Sequence, residues 1–421
     1  MVDGGGRLNG VSEQGRIAVL DLARGIAVLG ILAVNVTTMA GPGVASSTPD
    51  WHGHARIWDW AAFIVMWLFF EGKMRAIFAT LFGASLALFL ARGDEDARLL
   101  EQVRRLLWLA IFGYLHFLLF WWGDILFTYA IAGAIALLFR ELPPGRLLGL
   151  GAGMFLFVSL AAAAEIWWIL DASHALVAGT AQPQDIRAVA AYEHDAMASD
   201  KAKLAEYAMG FWQAVRHRLA VMPAYPLSLA SQAVFEALPL MLCGMGLARS
   251  GFFTGAWPRR AMLTMAIGGA AIGLGWYAAL FAYEASQGFA PTPVRLLAFR
   301  LGLVGRFAMA ASYLAIIVMV GKGVLRTRLG ARIAAAGRMA LSNYLGTTVV
   351  MTFLFHGWGL ALVKQQYGHA ALNGFVLLGW VLMLGWSRPW LAWAGIGPLE
   401  YAWRRLAGMG IRKAAQTSPV R

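Results

Sequence analysis

The sequence predicts an all-α, polytopic integral membrane protein, a bundle of about ten transmembrane helices with the amino and carboxyl termini in the cytoplasm. Apolar residues make up 60% of the 421 positions and charged residues only 14%, a balance that is not typical of water-soluble domains. Apolar stretches of about 20 residues recur along the chain, the length with which a helix crosses about 30 Å of hydrocarbon. Helices are expected because unpaired backbone groups cannot face lipid.

Ten apolar stretches are interpreted as spans. Their approximate bounds are 17–40, 57–91, 106–121, 124–139, 147–170, 226–248, 261–283, 296–321, 337–356 and 371–387. The second stretch is too long for one straight crossing and carries the charged motif EGKMR (71–75), so it is either broken, steeply tilted or partly re-entrant. Residues 1–421 are predicted to form a single membrane domain.

The basic residues predict the orientation of the bundle. Most of the 35 Lys and Arg residues fall on one side of the membrane if the amino terminus is cytoplasmic, as the positive-inside rule requires. The longest loop, 171–225, then lies outside, in the periplasm, and its spacing predicts one or two helices, with Ser199 or Asp200 as an amino-terminal cap. The basic residues are spread over short loops, so no nucleic-acid partner is expected.

Three polar side chains in the outer half of the predicted bundle form the first candidate site. The motif WWGD (121–124) is the expected turn between the third and fourth spans, which places Asp124 at the rim and His116 about 7.5 Å below it. Asn35, near the outer end of the first span, lies at a similar depth. A histidine within a span faces the protein interior or water, because contact with lipid is costly. His116 is therefore an interhelical packing group, a general base oriented by Asp124, or a metal ligand.

Basic side chains within the spans form a second candidate site, for an anion. Arg24 lies three residues from Asp21, so it either forms a local ion pair or contacts the phosphates of a cytosolic ligand. Glu71 and Arg75 are spaced to neutralise each other, which leaves Lys73 to meet an anion at mid-depth. Such charges inside a membrane predict pairing or a hydrated cavity.

Two further patterns near the end of the first span are of low specificity. HARIWD (54–59) has the H-x-x-x-x-D spacing of soluble glycerolipid acyltransferases, but it lies in a predicted outer loop. His52 and His54 could hold a metal with Asp50 or Asp59, yet two histidines one residue apart are a weak signal. No metal is therefore expected. The sequence also lacks a phosphate-binding loop, an H-E-x-x-H motif and a G-x-S-x-G motif.

Five motifs in the same order resemble the YeiB family of bacterial inner-membrane proteins, also described as domain of unknown function 418. They are LDLARGIAVLGILAVN (20–35), GKMRAIFATLFG (72–83), FGYLHFLLFWWGDILFTYAI (112–131), GRMALSNYL (337–345) and GPLEYAWR (397–404). The resemblance covers residues 17–406. It implies a multi-pass protein of the bacterial inner membrane and leaves the activity open.

The first motif is also similar to that of membrane acyltransferases, such as the lysosomal heparan glucosaminide acetyltransferase and bacterial sugar O-acetylating enzymes. In the latter, an Arg in the first span is followed eleven residues later by a catalytic His. Arg24 matches that Arg, but Asn35 stands at the second position, so another base must serve. His116 is the candidate within the membrane, and His52 and His54 are the candidates in the outer loop.

This resemblance implies transfer of an acyl group from cytosolic acyl-CoA to a hydroxyl or amine of an extracytoplasmic glycan or lipid. Arg24 and Arg338 would hold the CoA phosphates and its pantetheine arm would pass Lys73. His116, oriented by Asp124, would act as the base, and Asn35 would donate to the oxyanion.

Two other functions stay open on the sequence. The mid-depth charges of Lys73 and Arg75 also suit a transporter or exporter of a lipid-like or small amphiphilic molecule, although no inverted repeat is visible. A non-catalytic membrane assembly partner is the third possibility. The lipid bilayer is an expected partner in every case, and the oligomeric state, a homodimer included, stays open.

Overall fold

The regular secondary structure of the protein is helical. The computed structural model describes residues 8–51, 53–91, 95–286 and 301–415. Within these ranges we number fifteen α-helices in chain order: α1 Leu8–Ala40, α2 Ile57–Phe69, α3 Lys73–Leu90, α4 Glu95–Leu119, α5 Leu126–Leu137, α6 Pro144–Ala178, α7 Pro183–Tyr207, α8 Phe211–Val221, α9 Tyr225–Arg249, α10 Arg259–Ser286, α11 Gly302–Val324, α12 Arg328–Arg338, α13 Ala340–Phe355, α14 His369–Ala394 and α15 Pro398–Ala415.

The described residues contain seven segments that are long and apolar enough to cross a membrane. They are Ala18–Ala40, Ile57–Leu90, Pro144–Ala178, Tyr225–Arg249, Arg259–Ser286, Gly302–Val324 and His369–Ala394. The chain is therefore a multi-pass membrane protein of helical architecture.

Each of the ten predicted stretches coincides with helix in the part of the chain that is described, and residues 296–300 lie outside that part. The count of ten and the cytoplasmic termini stay predictions. Helices α5 and α13 have 12 and 16 residues, too few for either to cross about 30 Å alone. The first half of α4 is rich in charge.

The long second stretch is a broken helix. Helix α2 ends at Phe69 and α3 begins at Lys73, and between them Gly72 has a φ of 71°, which glycine adopts at little cost. A Cβ atom on Gly72 would lie 2.3 Å from Cδ of Arg306. Any side chain at this position would therefore displace the buried Arg306, so the break suits only glycine.

Helix α1 lies at the centre of the bundle, where it contacts α3, α12, α13 and α14.

Close packing between other helices depends on small residues, as is common in membranes. Between α3 and α9, a Cβ atom on Gly83 would lie 2.0 Å from the carbonyl oxygen of Met241, and one on Gly244 would lie 1.8 Å from that of Thr80. The two backbones are thus in direct contact, which fixes α9 against the middle of α3.

The segment 171–225 contains the end of α6 together with α7 and α8. The predicted cap at Ser199 or Asp200 was wrong, because both residues lie inside α7. That helix begins earlier, at Pro183, where the carboxylate of Asp185 accepts a hydrogen bond of 2.9 Å from the N–H of Gln182. Asp200 instead accepts from the N–H of Gly43 at 2.7 Å, which ties α7 to the end of α1.

Candidate functional site

His116 and Asp124 form a buried pair at the junction of α4 and α5. Nδ1 of His116 lies 2.8 Å from Oδ1 of Asp124, and the two side chains are 0% and 2% exposed. Since a carboxylate only accepts hydrogen bonds, the imidazole donates from Nδ1, and in the neutral ring Nε2 is then an unprotonated acceptor. Nε2 is buried and has no hydrogen-bond partner in the part of the chain that is described. The pair therefore has the chemical arrangement of a general base.

The position of Asp124 is set by the start of α5. Its Oδ2 accepts a hydrogen bond of 2.8 Å from the N–H of Phe127 in the first turn of that helix, where the helix dipole also favours a negative charge. Gly113, one turn before His116 on α4, lets the two helices approach. A Cβ atom on Gly113 would lie 2.4 Å from the nitrogen of Phe127 and 2.6 Å from Oδ2 of Asp124.

Replacing Gly113 is expected to disturb the pair although neither His116 nor Asp124 is substituted. In Gly113→Ala the new methyl group must displace Asp124 and the start of α5, at a cost of about 1–3 kcal/mol in the free energy of unfolding. Gly149→Ala on α6 is the matched control, since its Cβ would meet nothing within 4 Å. The midpoint of thermal unfolding in detergent should fall for the first variant alone; equal midpoints would contradict the packing described.

Asp124 lines a cavity of about 450 Å³ that we name the carboxylate cavity. Asn35 lines the same cavity, as do the aromatic rings of Trp121 and Trp122. Its charged residues are five carboxylates and two basic groups: Glu71, Asp124, Glu165, Asp200, Glu236, Arg75 and Lys203. The walls come from α1, α3, α5, α6, α7 and α9. Of the three polar groups predicted to converge, Asn35 and Asp124 therefore share a cavity, while His116 lies behind Asp124.

A second cavity of about 230 Å³ lies farther toward the start of α1, and we name it the arginine cavity. Four arginines from four helices line it: Arg24, Arg105, Arg338 and Arg404. Arg24 forms the predicted ion pair with Asp21, at 2.7 Å, and also donates to Ser85. Carboxylates are fewer here than arginines, so the cavity suits an anion such as a phosphate.

The guanidinium of Arg105 is held in place by two aromatic rings. It lies 4.5 Å from the ring centroids of both Phe89 and Trp403, contacts that favour a cation. Arg338 and Arg404, by contrast, are exposed and therefore available to a ligand that enters from water. Arg338 also donates to the carbonyl of Gly395 at 3.1 Å.

His116 lies between residues of the two cavities. Asp124, which bonds its ring, lines the carboxylate cavity, and Tyr344, whose ring centroid is 5.3 Å from that of His116, lines the arginine cavity. Arg24 and Asn35, on the same helix, line opposite cavities about 16 Å apart along its axis. The base candidate thus sits where the two cavities approach each other.

Lys73 and Arg75, the other two basic residues predicted to bind an anion, do not line the arginine cavity with Arg24 and Arg338. Arg75 lies in the carboxylate cavity, with its guanidinium 3.9 Å from Glu71, the pair predicted from their spacing. Lys73 is fully buried and lines neither cavity. Its Nζ donates to the carbonyl of Trp67 and lies 3.3 Å from the ring centroid of Tyr277. The prediction that Lys73 is left to meet an anion is therefore wrong. The carbonyl of Trp67, before the break between α2 and α3, and the ring of Tyr277 together enclose its ammonium group.

The HARIWD motif has a structural use. Asp59 is buried, and its carboxylate accepts from the N–H of Arg56 at 3.0 Å and from that of Ala370 at 2.9 Å, which caps the start of both α2 and α14. His54 is exposed, and His52 lies outside the described residues. No group of three or more His, Cys, Asp or Glu side chains suited to a metal is found in the described ranges.

Sequence reasoning missed a set of residues from α7 and α8 that hold the WWGD turn. The Tyr207 hydroxyl accepts from the indole N–H groups of Trp121 and Trp122 and donates to the carbonyl of Thr38 at 2.6 Å. Burial raises the pKa of the Tyr207 hydroxyl, so it stays protonated and able to donate. The tyrosine therefore joins the turn to the end of α1.

Arg218 holds the end of α4. It donates to the carbonyls of Phe117, Leu118 and Phe120, which follow His116 in the chain, at 3.0–3.3 Å. Its charge is balanced by the buried carboxylate of Glu206, 2.6 Å away. A long polar loop carries no local pattern that would indicate such a contact.

Known proteins resemble the chain over nearly its whole length. The uncharacterized protein YeiB of Escherichia coli (strain K12) is 30% identical over 412 residues, which cover 95% of this chain and 100% of the relative. The chain belongs to the YeiB family. A second member, the uncharacterized protein YxaH of Bacillus subtilis (strain 168), is 27% identical over 420 residues, 96% of this chain and 97% of the relative.

Two further matches are partial. The family model of a protein of unknown function (DUF418) matches residues 247–410. An uncharacterized 39.9 kDa protein in the amylase 3' region of Bacillus acidopullulyticus is 36% identical over 151 residues, 35% of this chain and 41% of the relative. No solved structure matches the chain. None of these descriptions states an activity, so the activity has to be argued from the two cavities.

Proposed function

We propose that this YeiB-family protein is a transmembrane acyltransferase of the bacterial inner membrane. It would move an acyl group from cytosolic acyl-CoA to a hydroxyl or amine of an extracytoplasmic glycan or lipid. The proposal rests on one observation: the His116–Asp124 pair lies between a cavity lined by arginines and a second, carboxylate-lined cavity.

The arginine cavity is the proposed donor site. CoA carries several phosphates, and guanidinium groups bind phosphate through paired hydrogen bonds. At about 230 Å³ the cavity is smaller than the roughly 300–1,000 Å³ of complete ligand sites. The nucleotide would therefore rest at the mouth, on Arg338 and Arg404, with the pantetheine arm extending inward past Arg24.

The carboxylate cavity is the proposed acceptor site. Its polar walls suit a molecule rich in hydroxyl or amino groups, and its indole rings offer flat apolar faces for a sugar or lipid headgroup. Asn35 lines the same cavity as Asp124 and is the proposed donor to the oxyanion. With the predicted orientation, this cavity faces the periplasm.

The proposed chemistry needs the two cavities to join beside His116. The acceptor oxygen or nitrogen attacks the thioester carbon while Nε2 of His116 takes its proton. Asp124 stabilises the imidazolium that forms. The tetrahedral intermediate then expels the CoA sulfur, which recovers the proton from His116, so that an ester or amide forms as the thioester breaks.

The donor site is tested by binding. In Arg338→Ala and Arg404→Ala, loss of a charged hydrogen bond to phosphate is expected to weaken binding of acetyl-CoA by about tenfold in each variant. Isothermal titration calorimetry on protein in lipid nanodiscs measures the affinity. Arg332→Ala is the matched control, because Arg332 is an exposed arginine on the same helix as Arg338 and lines neither cavity. Equal affinity in all three variants would refute the donor site.

Transport is the second candidate function. Two cavities at different depths that share a wall, formed by Ile125 and Tyr129, also suit a transporter that works by alternating access. Transport of a small amphiphile would proceed in vesicles without acyl-CoA. Acyl transfer, by contrast, requires release of CoA in proportion to acylated acceptor. Measuring free CoA beside acceptor flux in the same vesicles separates the two functions.

A further inference from the structure

Two residues line both cavities, Ile125 and Tyr129. They lie four residues apart, so they occupy one face of the first turns of α5. Ile125 directly follows Asp124, the carboxylate that orients His116. The wall between the cavities is therefore built from the same helix start that positions the candidate base.

Contacts with α3 hold Tyr129 in place in the wall between the two cavities. The residue is buried, and its hydroxyl donates to the carbonyl of Arg75 on α3 at 3.0 Å. Its ring stacks on that of Phe78 at 5.9 Å between centroids and meets the edge of Phe82 at 5.7 Å. The ring packing and the hydrogen bond together fix the ring between α5 and α3, in the wall that the two cavities share.

The walls of the arginine cavity are largely apolar, with Ser85, Gln102 and Glu400 as the other polar side chains. The apolar part is formed by aliphatic and aromatic side chains, which include Val28, Ile31, Phe78, Phe82, Leu86 and Leu109. A largely apolar cavity with a fixed ring in its wall suits an alkyl chain of limited length. The limited volume of the cavity must hold the pantetheine arm as well as this chain.

We propose that Tyr129 is a specificity-determining residue that limits the acyl group to a short chain. This assignment rests on the proposed acyl transfer. With the thioester beside Tyr344, the acyl chain extends toward the Tyr129 ring. Each methylene that exceeds the space between Tyr344 and Tyr129 must displace the Tyr129 ring. A chain that is too long therefore fails to place its carbonyl beside His116.

The test is a series of donors: acetyl-, butyryl-, hexanoyl- and octanoyl-CoA. Purified protein in lipid nanodiscs is assayed for release of the CoA thiol, with glucosamine, glycerol or water as the acceptor. The natural protein is expected to favour the short donors over octanoyl-CoA by about tenfold or more, because a misplaced methylene changes the rate by about 10- to 200-fold. Tyr129→Ala should raise the ratio of octanoyl to acetyl turnover by a similar factor.

Three variants make the result specific. Tyr129→Phe keeps the ring and should keep the natural length preference. Ile125→Ala opens the same wall one helical turn earlier and should shift the preference as Tyr129→Ala does, which provides a second test if the latter is poorly folded. Tyr313→Ala is the matched control: its hydroxyl also donates to a backbone carbonyl, that of Phe69 at 3.1 Å, but it lines neither cavity.

The outcomes separate this assignment from the proposed function. Turnover with a length preference that neither Tyr129→Ala nor Ile125→Ala changes would overturn the role of Tyr129 and leave acyl transfer standing. A shift of equal size in Tyr313→Ala would also overturn it. Absence of CoA release from every donor in the natural protein would overturn acyl transfer, and the assignment with it.

Discussion

His116→Ala is expected to abolish acyl transfer while the protein stays folded. The variant removes the base that takes the acceptor proton, an effect worth about 100- to 10,000-fold in rate. In Asp124→Asn the amide oxygen can still accept from the N–H of Phe127, but the amide NH2 then faces Nδ1 of His116 and donates to it, which leaves the proton on Nε2. Because a protonated Nε2 cannot take the acceptor proton, we expect this variant to lower the rate by about as much as His116→Ala does. Both rates are measured as release of the CoA thiol from acetyl-CoA.

His174→Ala is the control for this experiment. His174 is an exposed histidine near the end of α6 that contacts the hydroxyl of Tyr283 at 3.3 Å, and it lines neither cavity. The rate of this variant should equal that of the natural protein. Normal turnover in a folded His116→Ala variant would show that the buried pair serves packing alone, the alternative that the sequence left open.

Glu206→Gln is expected to be the most destabilising single change outside the bundle core. It leaves the charge of Arg218 buried without its partner, and breaking a buried pair in this way costs about 3–5 kcal/mol. Both side chains are almost fully buried, at 2% and 1% exposure, so water cannot replace the lost carboxylate. Because Arg218 bonds the carbonyls that follow His116, the end of α4 should loosen first. The midpoint of thermal unfolding in detergent measures the loss of stability.

Glu101→Gln provides the comparison. Glu101 pairs with Arg98 at 3.0 Å on α4, but the two side chains are 28% and 39% exposed, and such surface pairs contribute about 0–1 kcal/mol. Its unfolding midpoint should therefore stay close to that of the natural protein. If both carboxylate variants lowered the midpoint equally, the buried pair would have no special part in holding α4.

Local patterns predicted the elements of this structure well. The apolar stretches located the helices, the motif EGKMR marked the break between α2 and α3, and the i, i+4 and i, i+3 spacings predicted the Glu71–Arg75 and Asp21–Arg24 pairs. The turn at WWGD also brought His116 and Asp124 together as proposed. Each of these depends on residues close in the chain, so helical geometry alone determines them.

The failures concern contacts between distant residues. Lys73 and Arg75 are two positions apart, yet one is enclosed by Trp67 and Tyr277 and the other lines the carboxylate cavity. Ser199 and Asp200 looked like a helix start because residues of their type often cap helices. In the structure, the earlier Pro183 begins the helix, and Asp200 serves the backbone at Gly43 instead.

The sequence by itself determined that the chain crosses a membrane many times as helices and which polar side chains lie close to one another along it. Tertiary structure alone decided that arginines from four helices surround one cavity, that carboxylates surround another, and that Tyr129 stands between them. The physical reason is that a helix fixes the relative direction of side chains only within a few turns. Which helices meet, and what space is left between them, depends on packing across hundreds of residues.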